Sequence, residues 1–416
     1  MTRWQGWQAK MQNKGELMDI QTNLGSLTLK SLLGGSLLLL LLGAAAPVYE
    51  EDFDKGLPAG VFSHDRQKLE IFTAPKGEKV LGRLGPGKLQ MHLDKLPPHQ
   101  ALRISFDLCF SGSWDGTAAG YGPDIWACGP KGGLPLLETS FNNCHKVFDD
   151  NIWQNFPDNY RAAQVARIMK THTGEKFNKV DARVEDLLHR GGSGAFDHGH
   201  LGCTWNRLGT DVRYRLCFHL RHRAESLDFL FDNRFEEDVN GQWWALDKIK
   251  VECQEEIPPL AENERERLWL DLLSEDAMRA LIARDALSLH PEAVRMLLDR
   301  HFPPSRDLDL GHLIKDLEKA GTAREEAIKT LREAGPILLQ QLEDLRRLHA
   351  SSSPESAAQL DFILADWRKI PAPEWTVRQL WRMADLARIS GCAEGMRIGQ
   401  EMDARAALLL SPETKP

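Results

Sequence analysis

The chain has 416 residues, of which 42% are hydrophobic, so it is long enough for two or three domains that each bury a core. Its 60 acidic and 52 basic side chains give a formal net charge of −8, and no long basic block occurs. This balance argues against phosphate neutralisation as the main task, so nucleic acid is not expected as a partner.

The first notable segment is the apolar run 32–46 (LLGGSLLLLLLGAAA), which follows Lys30 and ends in small residues, as in a secretory signal peptide. The run is shorter than the ~18 residues that a spanning helix needs, which favours cleavage over a stable membrane span. Because the preceding stretch is long for a signal peptide, an uncleaved N-terminal anchor is the alternative. Residues 1–46 are therefore predicted to direct export to the periplasm, the cell surface or the extracellular space.

Residues 48–255 show a hydrophobic period of two, which is typical of half-buried β-strands. The alternation is clearest in 102–110 and 212–220. Further predicted strands, separated by segments rich in Gly, Pro, Asn and Asp, are 89–93, 134–141, 227–231 and 243–253. Residues of about 160–190 interrupt the alternation and are interpreted as an insertion. Many short strands with polar turns indicate an all-β sandwich.

The cysteines of this region suggest, but do not establish, disulfides. Six of the seven lie here, namely Cys109, Cys128, Cys144, Cys203, Cys217 and Cys253, and Cys392 lies further on. An even set fits an oxidising compartment. Cys109 and Cys217 are the best candidate pair, because each occupies the polar face of an alternating strand. Unpaired thiols are the alternative, since spacing does not give connectivity.

Two segments at the ends of this region, 48–54 (VYEEDFD) and 243–251 (WWALDKIKV), carry a family resemblance. They resemble lectin-like jelly rolls of the concanavalin A-like and MAM type, whose closing strand reads Trp-x-Leu-Asp-x-Ile-x-Val and pairs near the opening strand. The resemblance implies a jelly-roll sandwich that binds a carbohydrate or a protein surface. It also implies a calcium ion, which often bridges the two terminal strands in that family.

The acids in these segments support a search for a cation. Glu51 and Asp247 each share the apolar face of a predicted strand, and a bare buried carboxylate costs several kcal/mol unless a cation or an arginine lies nearby. Calcium takes carboxylate and carbonyl oxygens as ligands. We therefore expect Glu51, Asp52 and Asp247 to bind calcium, with Asp54 as a further ligand. Acids that are exposed or paired with Lys and Arg are the alternative.

Candidate ligand contacts lie in polar loops. Trp114 lies in the polar segment 111–116 (SGSWDG) next to Asp115, and Trp126 follows the turn-like segment 122–124 (GPD), which contains Asp124. Aromatic side chains in loops stack on sugar rings or anchor protein partners. These four residues are the predicted ligand-binding set, and packing in the core is the alternative for the two tryptophans.

Hydrolase patterns are missing from the sequence. Segment 50–55 (EEDFDK) lacks the closing glutamate of the Glu-x-Asp-x-x-Glu pattern of concanavalin A-like glycosidases, and no Gly-x-Ser-x-Gly elbow or phosphate-binding glycine loop occurs. We therefore expect a protein that is not an enzyme. A divergent glycosidase remains the alternative, with Asp107, Asp115, Asp124 and Glu138 as its candidate carboxylates.

Beyond the linker 257–259 (IPP), apolar residues recur at helical spacing through residues 259–416. An offset of 45 residues aligns the Asp-Leu pair 271–272 with 316–317 and Pro291 with Pro336. A period near 45 with two helices per unit matches HEAT or armadillo repeats, and the region resembles the HEAT-like tails of uncharacterised exported bacterial proteins. A degenerate third pair is predicted at 357–367 and 376–389. The alternative is a plain helical bundle packed on the sandwich.

The sequence as a whole predicts a multidomain protein, with an all-β jelly-roll sandwich at 48–255 followed by an all-α HEAT-like helical domain at 259–416. The expected function is recognition of a carbohydrate or a protein surface, without a stable membrane span once the leader is cleaved. One alternative is a scaffold for protein–protein interactions in which the sandwich is purely structural, and the other is the divergent glycosidase. The relative orientation of the two domains stays open.

Overall fold

The computed structural model describes residues 46–117, 123–143, 153–162, 187–205, 209–234, 241–301, 310–319, 321–334, 342, 345–347, 353–369, 375–391 and 393–410. The predicted leader lies outside these ranges except for its last residue. Cys144, Cys392 and most of the predicted insertion also lie outside them. In the described ranges, no helix combines the length and the apolar character that crossing a membrane requires.

Antiparallel strands make up the β region, from Pro47 to Gln254. They are β1 (Pro47–Glu51), β2 (Phe62–His64), β3 (Ile71–Thr73), β4 (Lys79–Leu84), β5 (Gly87–Leu93), β6 (Ala101–Gly112), β7 (Ile125–Pro130), β8 (Leu137–Ser140), β9 (Trp153–Gln154), β10 (His189–Arg190), β11 (Asp197–His198), β12 (Thr204–Trp205), β13 (Gly209–Thr210), β14 (Val212–Arg221), β15 (Leu227–Asn233) and β16 (Gln242–Gln254). The larger sheet has the order β11-β14-β6-β16-β4-β3, with β1 also paired to β16, and the smaller sheet has the order β2-β5-β15-β7-β8.

The long strands of the larger sheet follow the alternation of the sequence. Predicted strands 102–110 and 212–220 lie in β6 and β14, which pair with Phe110 opposite Val212. On the other side of β6, β16 places Trp244 opposite Phe110. The predicted strands in β5, β8, β15 and β16 are also confirmed. Among the strands of three or more residues, sequence reasoning missed β2, β3, β4 and β7, each of which has six residues or fewer and so shows little periodicity.

The first and last strands of the β region are neighbours, as the family resemblance implies. Tyr49 of β1 lies opposite Val251 of β16, and the pairing is antiparallel. The register between β16 and β6 shifts after Asp247, where Lys248 has a positive φ of 49°. An irregularity of this kind bends the strand and lets side chains change face locally.

Residues from both sheets share one apolar core. Phe106 of the larger sheet contacts Phe231 of the smaller sheet edge to face, with ring centroids 5.2 Å apart. Phe110 and Phe141, whose ring centroids are 4.5 Å apart, extend the same cluster. Aromatic pairs of this geometry add to the free energy gained from apolar burial. The inward positions of the alternating strands therefore hold the two sheets together.

Helices follow the strands. They are α1 (Glu262–Leu272), α2 (Ala277–Ser288), α3 (Pro291–His301), α4 (Leu310–Leu317), α5 (Thr322–Ala334), α6 (Pro354–Lys369), α7 (Val377–Ile389) and α8 (Ala393–Leu410). Their N-terminal ends show capping bonds: the Asp276 carboxylate accepts hydrogen bonds from Met278 N and Arg279 N of α2, and the Thr376 hydroxyl accepts one from Gln379 N of α7.

The packing of the helices differs from that of a simple repeat array. The first predicted unit is present, since α2 ends before Pro291 and α3 begins there, and α6 and α7 match the predicted third pair. However, α7 packs against α1, α2 and α3 as well as against α8. Units of a solenoid contact only their sequence neighbours. These contacts therefore favour the helical bundle over HEAT repeats, while Pro336 lies outside the described residues.

Charged side chains connect the helices to the β region, at a contact that we call the helix joint. Asp158 accepts hydrogen bonds from Arg382 Nε and Nη2 of α7 at 2.6 and 2.9 Å, and its Oδ2 lies 2.9 Å from His189 Nε2. Arg161 pairs with Asp385 of α7. The helix joint consists of these five residues.

The partners of Asp158 in the helix joint keep its carboxyl group ionised although it is mostly buried. Burial acts to raise the pKa of Asp158, but the hydrogen bond from His189 and the charge of Arg382 hold it well below its usual value. A second connection is apolar, since Leu281 of α2 belongs to the core of the sheets. Arg284 of α2 also donates a hydrogen bond to the carbonyl of Leu136, at 3.1 Å. These contacts fix the orientation that the sequence left open.

Candidate functional site

A cavity of about 340 Å³, lined mainly by charged residues, lies at one end of the smaller sheet, where β2 ends, β5 begins and β15 ends. We call it the basic cavity, and it is lined by Asp65, Arg66, Gly87, Lys88, Asp232, Asn233 and Arg234. Three of these side chains are cationic and two are carboxylates, so the lining has an excess of one positive charge in a chain whose net charge is −8.

The turn between β4 and β5 shapes one wall of the basic cavity. Gly87 has a φ of +122°, and a Cβ atom there would clash with Asp65 Oδ1 and lie 2.8 Å from His64 Cε1. Asp65 Oδ1 accepts a hydrogen bond from Lys88 N at 2.8 Å, and Asp65 N donates to Lys88 O at 3.1 Å. Glycine at position 87 therefore lets the segment after β2 lie directly against the start of β5.

Asn233 is the buried part of the basic cavity. Its Nδ2 donates to the carbonyl of Gly85 at 3.2 Å, and Trp244 Nε1 donates to the same carbonyl at 3.0 Å. Gly85 N in turn donates to Gln67 Oε1 at 2.9 Å. Because these bonds tie the turn to β15 and β16, the wall of the cavity is organised without a ligand.

The three cations of the basic cavity differ in their partners. Arg234 is neutralised, with Nε 3.0 Å from Asp232 Oδ2 and Nη1 3.0 Å from Glu138 Oε1. The Arg66 and Lys88 side chains have no ion-pair or hydrogen-bond partner within the ranges that the structure describes. Both are exposed, so their charges are available to an anionic ligand.

A buried imidazole supports the same turn. The His64 side chain is 0% exposed, and its Nδ1 accepts hydrogen bonds from Arg66 N at 3.1 Å and Gln67 N at 3.2 Å. Burial lowers the pKa of His64, although the charge of Asp65 acts in the opposite direction. A neutral His64 therefore holds the backbone that presents Arg66.

Trp114 and Trp126, which were predicted to contact ligand, are core residues. Both are 0% exposed. The ring of Trp114 lies 4.2 Å from that of Phe110, and its Nε1 donates to the carbonyl of Trp243 at 3.1 Å. The ring of Trp126 packs 5.9 Å from that of Trp244. Stacking needs an accessible ring face, so the prediction of ligand contact is corrected to the core-packing alternative.

Asp115 and Asp124 lie together in the loop between β6 and β7. Asp115 N donates to Asp124 Oδ2 at 2.5 Å, and Asp124 N donates to Gly116 O at 2.9 Å. Asp124 is only 4% exposed, so its carboxylate stabilises the loop. Asp115 is partly exposed. Ligand binding by these two residues stays a prediction, and neither lines the basic cavity.

An arginine is the partner of the buried Asp247. Its carboxylate pairs with Arg213 of β14, whose guanidinium also lies 3.2 Å from Asp107 and 2.7 Å from Glu78. We call these four residues the Arg213 cluster. Burial raises the pKa of Asp247 above its usual 3.8, although the Arg213 charge acts to lower it. A cation or an arginine was expected beside this acid, and the arginine is present.

The other predicted calcium ligands bond to their own backbone. Glu51 Oε1 accepts from Phe53 N at 2.8 Å, and Asp52 Oδ1 accepts from Asp54 N at 3.1 Å. In the described part of the chain, no group of three or more His, Cys, Asp or Glu residues is placed to hold a metal ion.

Calcium binding at Glu51, Asp52 and Asp247 therefore stays a proposal. Thermal unfolding with calcium and with EDTA tests it, because a ligand that binds only the folded state raises the melting temperature. A rise that is absent in Asp247→Asn would support calcium, and equal melting temperatures would contradict it.

Two of the four candidate glycosidase carboxylates, Asp107 and Glu138, are ion-pair partners of arginines. Asp107 is 1% exposed and accepts hydrogen bonds from Arg215 Nε and Nη2 at 2.8 and 3.1 Å, in addition to its contact with Arg213. Glu138 pairs with Arg234. Glycoside hydrolysis needs two carboxyl groups that face the substrate, and Asp107 has no such access.

The predicted pairing of Cys109 with Cys217 is wrong. Both lie on the same face of the larger sheet, but Cys109 is opposite Arg213 and Cys217 is opposite Ser105. The two positions are four residues apart in register. Within the described ranges, the free thiols are those of Cys109, Cys128, Cys203, Cys217 and Cys253.

Sequence reasoning missed the basic cavity. Arg66, Lys88 and Arg234 each stand at a strand end in a segment rich in turn residues, which is the only local signal that they share. Finding the site required the knowledge that β2, β5 and β15 are neighbours in one sheet.

Comparison with known proteins does not identify the chain. No protein-family model and no curated protein matches it. Among solved structures it is similar to the K3 and K1 cleaved adhesin domains of Lys-gingipain from Porphyromonas gingivalis W83, each at 13% identity and a TM-score of 0.25. These matches cover 50% and 49% of this chain and 99% and 97% of those domains. A TM-score of this size supports no conclusion about fold or function.

Proposed function

We propose that this chain is an exported, non-enzymatic binding protein whose β region, a sandwich of jelly-roll type, binds a carbohydrate in the basic cavity. The observation that carries the proposal is the cavity itself. Charged residues make up most of its lining, and its wall is held by the bonds of Asn233 and Trp244 to Gly85. Its volume of about 340 Å³ falls at the lower end of the range of ligand clefts.

The side chains of the cavity suit a ligand with many hydroxyl groups. Asp65 and Asp232 supply oxygen acceptors, and Arg66 and Lys88 supply donors. A sugar hydroxyl both donates and accepts, so a cavity that offers both kinds of group can bond several hydroxyls at once. The export part of the proposal rests on the predicted leader, residues 1–46.

A protein partner on the helices is the second candidate. Leu270 of α1, Ile282 of α2 and Met296 of α3 are 67%, 50% and 50% exposed. Exposed large apolar side chains are typical of protein interaction sites when they form a patch. In this alternative the helices recruit the partner and the β region is structural.

A glycan array probed with the full chain tests the carbohydrate proposal. Lys88→Trp places a large ring in the lining of the basic cavity. It is expected to abolish binding to every glycan on the array that the wild-type chain binds. Lys68→Trp is the matched control, because Lys68 is an exposed lysine that does not line the cavity. Absence of glycan binding by the wild-type chain, or equal loss in both variants, would contradict the proposal.

A further inference from the structure

We infer that the ligand of the basic cavity is a saccharide with one anionic group, a carboxylate or a sulfate, and that Arg66 and Lys88 bind that group. This inference rests on the proposed carbohydrate function. It starts from an imbalance of charge. Arg234 is neutralised by Asp232 and Glu138, whereas Arg66 and Lys88 have no partner in the described ranges.

The two free cations have complementary chemistry. The planar guanidinium of Arg66 can donate two parallel hydrogen bonds to a carboxylate or sulfate, and the ammonium of Lys88, which lines the same cavity, adds a point charge. An excess of positive charge at one cavity also contrasts with the net charge of −8 of the whole chain. An acidic chain that leaves two cations unpaired in one cavity is arranged to attract an anion there.

The backbone that carries these cations is already fixed. His64 Nδ1 accepts the hydrogen bond of Arg66 N at 3.1 Å, and Asp65 Oδ1 accepts that of Lys88 N at 2.8 Å. The first bond holds the segment after β2 to the His64 side chain, and the second holds the start of β5 to the Asp65 side chain. Binding then has to order only the two long side chains, which limits its entropic cost.

The carboxylates of the same cavity restrict the charge of the ligand. Asp65 is 48% exposed and Asp232 is 19% exposed, so both can reach a ligand. They accept hydrogen bonds from hydroxyl groups, and they repel negative charge that the cations of the cavity do not balance. A ligand with one anionic group and several hydroxyls satisfies both requirements, whereas an acidic peptide or another polyanion does not.

Titration calorimetry with the full chain tests the inference. The probes are three disaccharides of the same linkage: one neutral, one with a single uronic-acid carboxylate and one with a single sulfate. We expect at least one charged probe to bind about 10-fold more tightly than the neutral probe at low salt, a difference of about 1.4 kcal/mol. This preference should shrink in 0.5 M NaCl, because the Debye length falls from about 10 Å at 0.1 M towards about 3 Å at 1 M, so the charges are more strongly screened. The comparison of the two charged probes shows which anionic group is preferred.

The double variant Arg66→Gln with Lys88→Gln removes both charges and keeps side chains that can donate hydrogen bonds. We expect it to lose the preference for the charged probes while it binds the neutral probe within about threefold of the wild type, a difference below 1 kcal/mol. Lys68→Gln, in the same segment but outside the cavity, should keep the preference. Melting curves of the three proteins confirm that all are folded.

The outcomes separate the inference from the proposed function. Equal affinity for neutral and charged probes, with binding blocked by Lys88→Trp, would overturn the inference and leave the carbohydrate function in place. A preference that survives in the double variant would also overturn it. Tighter binding of a hexa-aspartate peptide than of either charged disaccharide would overturn it in favour of a polyanion. Failure of every saccharide to bind would contradict the proposed function itself.

Discussion

The Arg213 cluster and the basic cavity both hold several charged groups, but only in the first does every charged group have an ion-pair partner. The Arg213 side chain is 2% exposed and has Asp107, Asp247 and Glu78 as partners. Arg66 and Lys88 are exposed, and the described residues give them no partner. Burial requires pairing, because an uncompensated buried charge is costly. An exposed cation does not have this desolvation cost, so it can remain without a protein partner and bind a ligand.

The largest expected effect comes from breaking the Arg213 cluster. Arg213→Met leaves Asp247 buried without its cation and should lower the free energy of unfolding by ~3–5 kcal/mol. Urea denaturation measures the loss. The added substitution Asp247→Asn should recover part of the stability, because it removes the unpaired charge. A loss below about 1 kcal/mol would show that Arg213 contributes no more than an exposed pair does.

A smaller loss is expected at the turn of the basic cavity. Gly87→Ala puts a Cβ atom at a φ of +122° and into a clash with Asp65 Oδ1. Strain of this kind costs ~1–3 kcal/mol. Gly56→Ala is the control, since Gly56 has a φ of +105° and a Cβ atom added there would have nothing within 4 Å. Equal losses of unfolding free energy in the two variants would show that the close approach to Asp65 is unimportant. A larger loss in Gly87→Ala would show that this close approach requires glycine.

The Arg213 cluster should also make stability depend on pH. The pKa of Asp247 is raised from 3.8 in the folded protein, mainly by burial, so the folded state binds this proton more tightly than the unfolded state. This contribution is fully present below pH 3.8, and it is lost as pH rises from 3.8 through the raised pKa. Urea unfolding between pH 4 and 8 should show a decline in wild type that is weaker in Asp247→Asn. Identical slopes would contradict the raised pKa.

The smallest effect on stability is expected in the basic cavity. Arg66→Gln with Lys88→Gln should change the free energy of unfolding by less than ~0.5 kcal/mol, because exposed charges without partners add little. The same double variant is expected to lose its preference for anionic saccharides. A large loss of stability would mean that these cations are structural, which would remove the contrast with the Arg213 cluster.

The sequence predicted much of the fold because the signals were local. Period-two alternation located β6 and β14 to within a few residues, and helical spacing located α2, α3 and α7. The terminal segments correctly implied that β1 and β16 are neighbours. The same signals did not establish HEAT repeats, since the contacts of α7 with α1, α2 and α3 join elements that are far apart in the chain.

Predictions from the sequence were wrong where they depended on the register between two strands or on the burial of a side chain. Alternation correctly placed Cys109 and Cys217 on one face, but it gave no register. Four residues of strand separate the two positions by roughly 13 Å, far more than a disulfide can span. Trp114 lies in a polar segment of the sequence and Trp126 follows one, yet both rings are buried, since Trp114 contacts the backbone of Trp243 and Trp126 packs against Trp244 of the distant strand β16.

The sequence by itself determined the order of the two regions, the faces of the long strands and the need of Asp247 for a cationic partner. It could do so because period and burial cost act on neighbouring residues. Only the tertiary structure decided that Arg213 is that partner, that the helices dock through Asp158 and Arg382, and that Arg66 and Lys88 share a cavity. The partners in each case come from separate segments of the chain. Only the order and register of the strands, together with the docking of the helices, bring them within reach of each other.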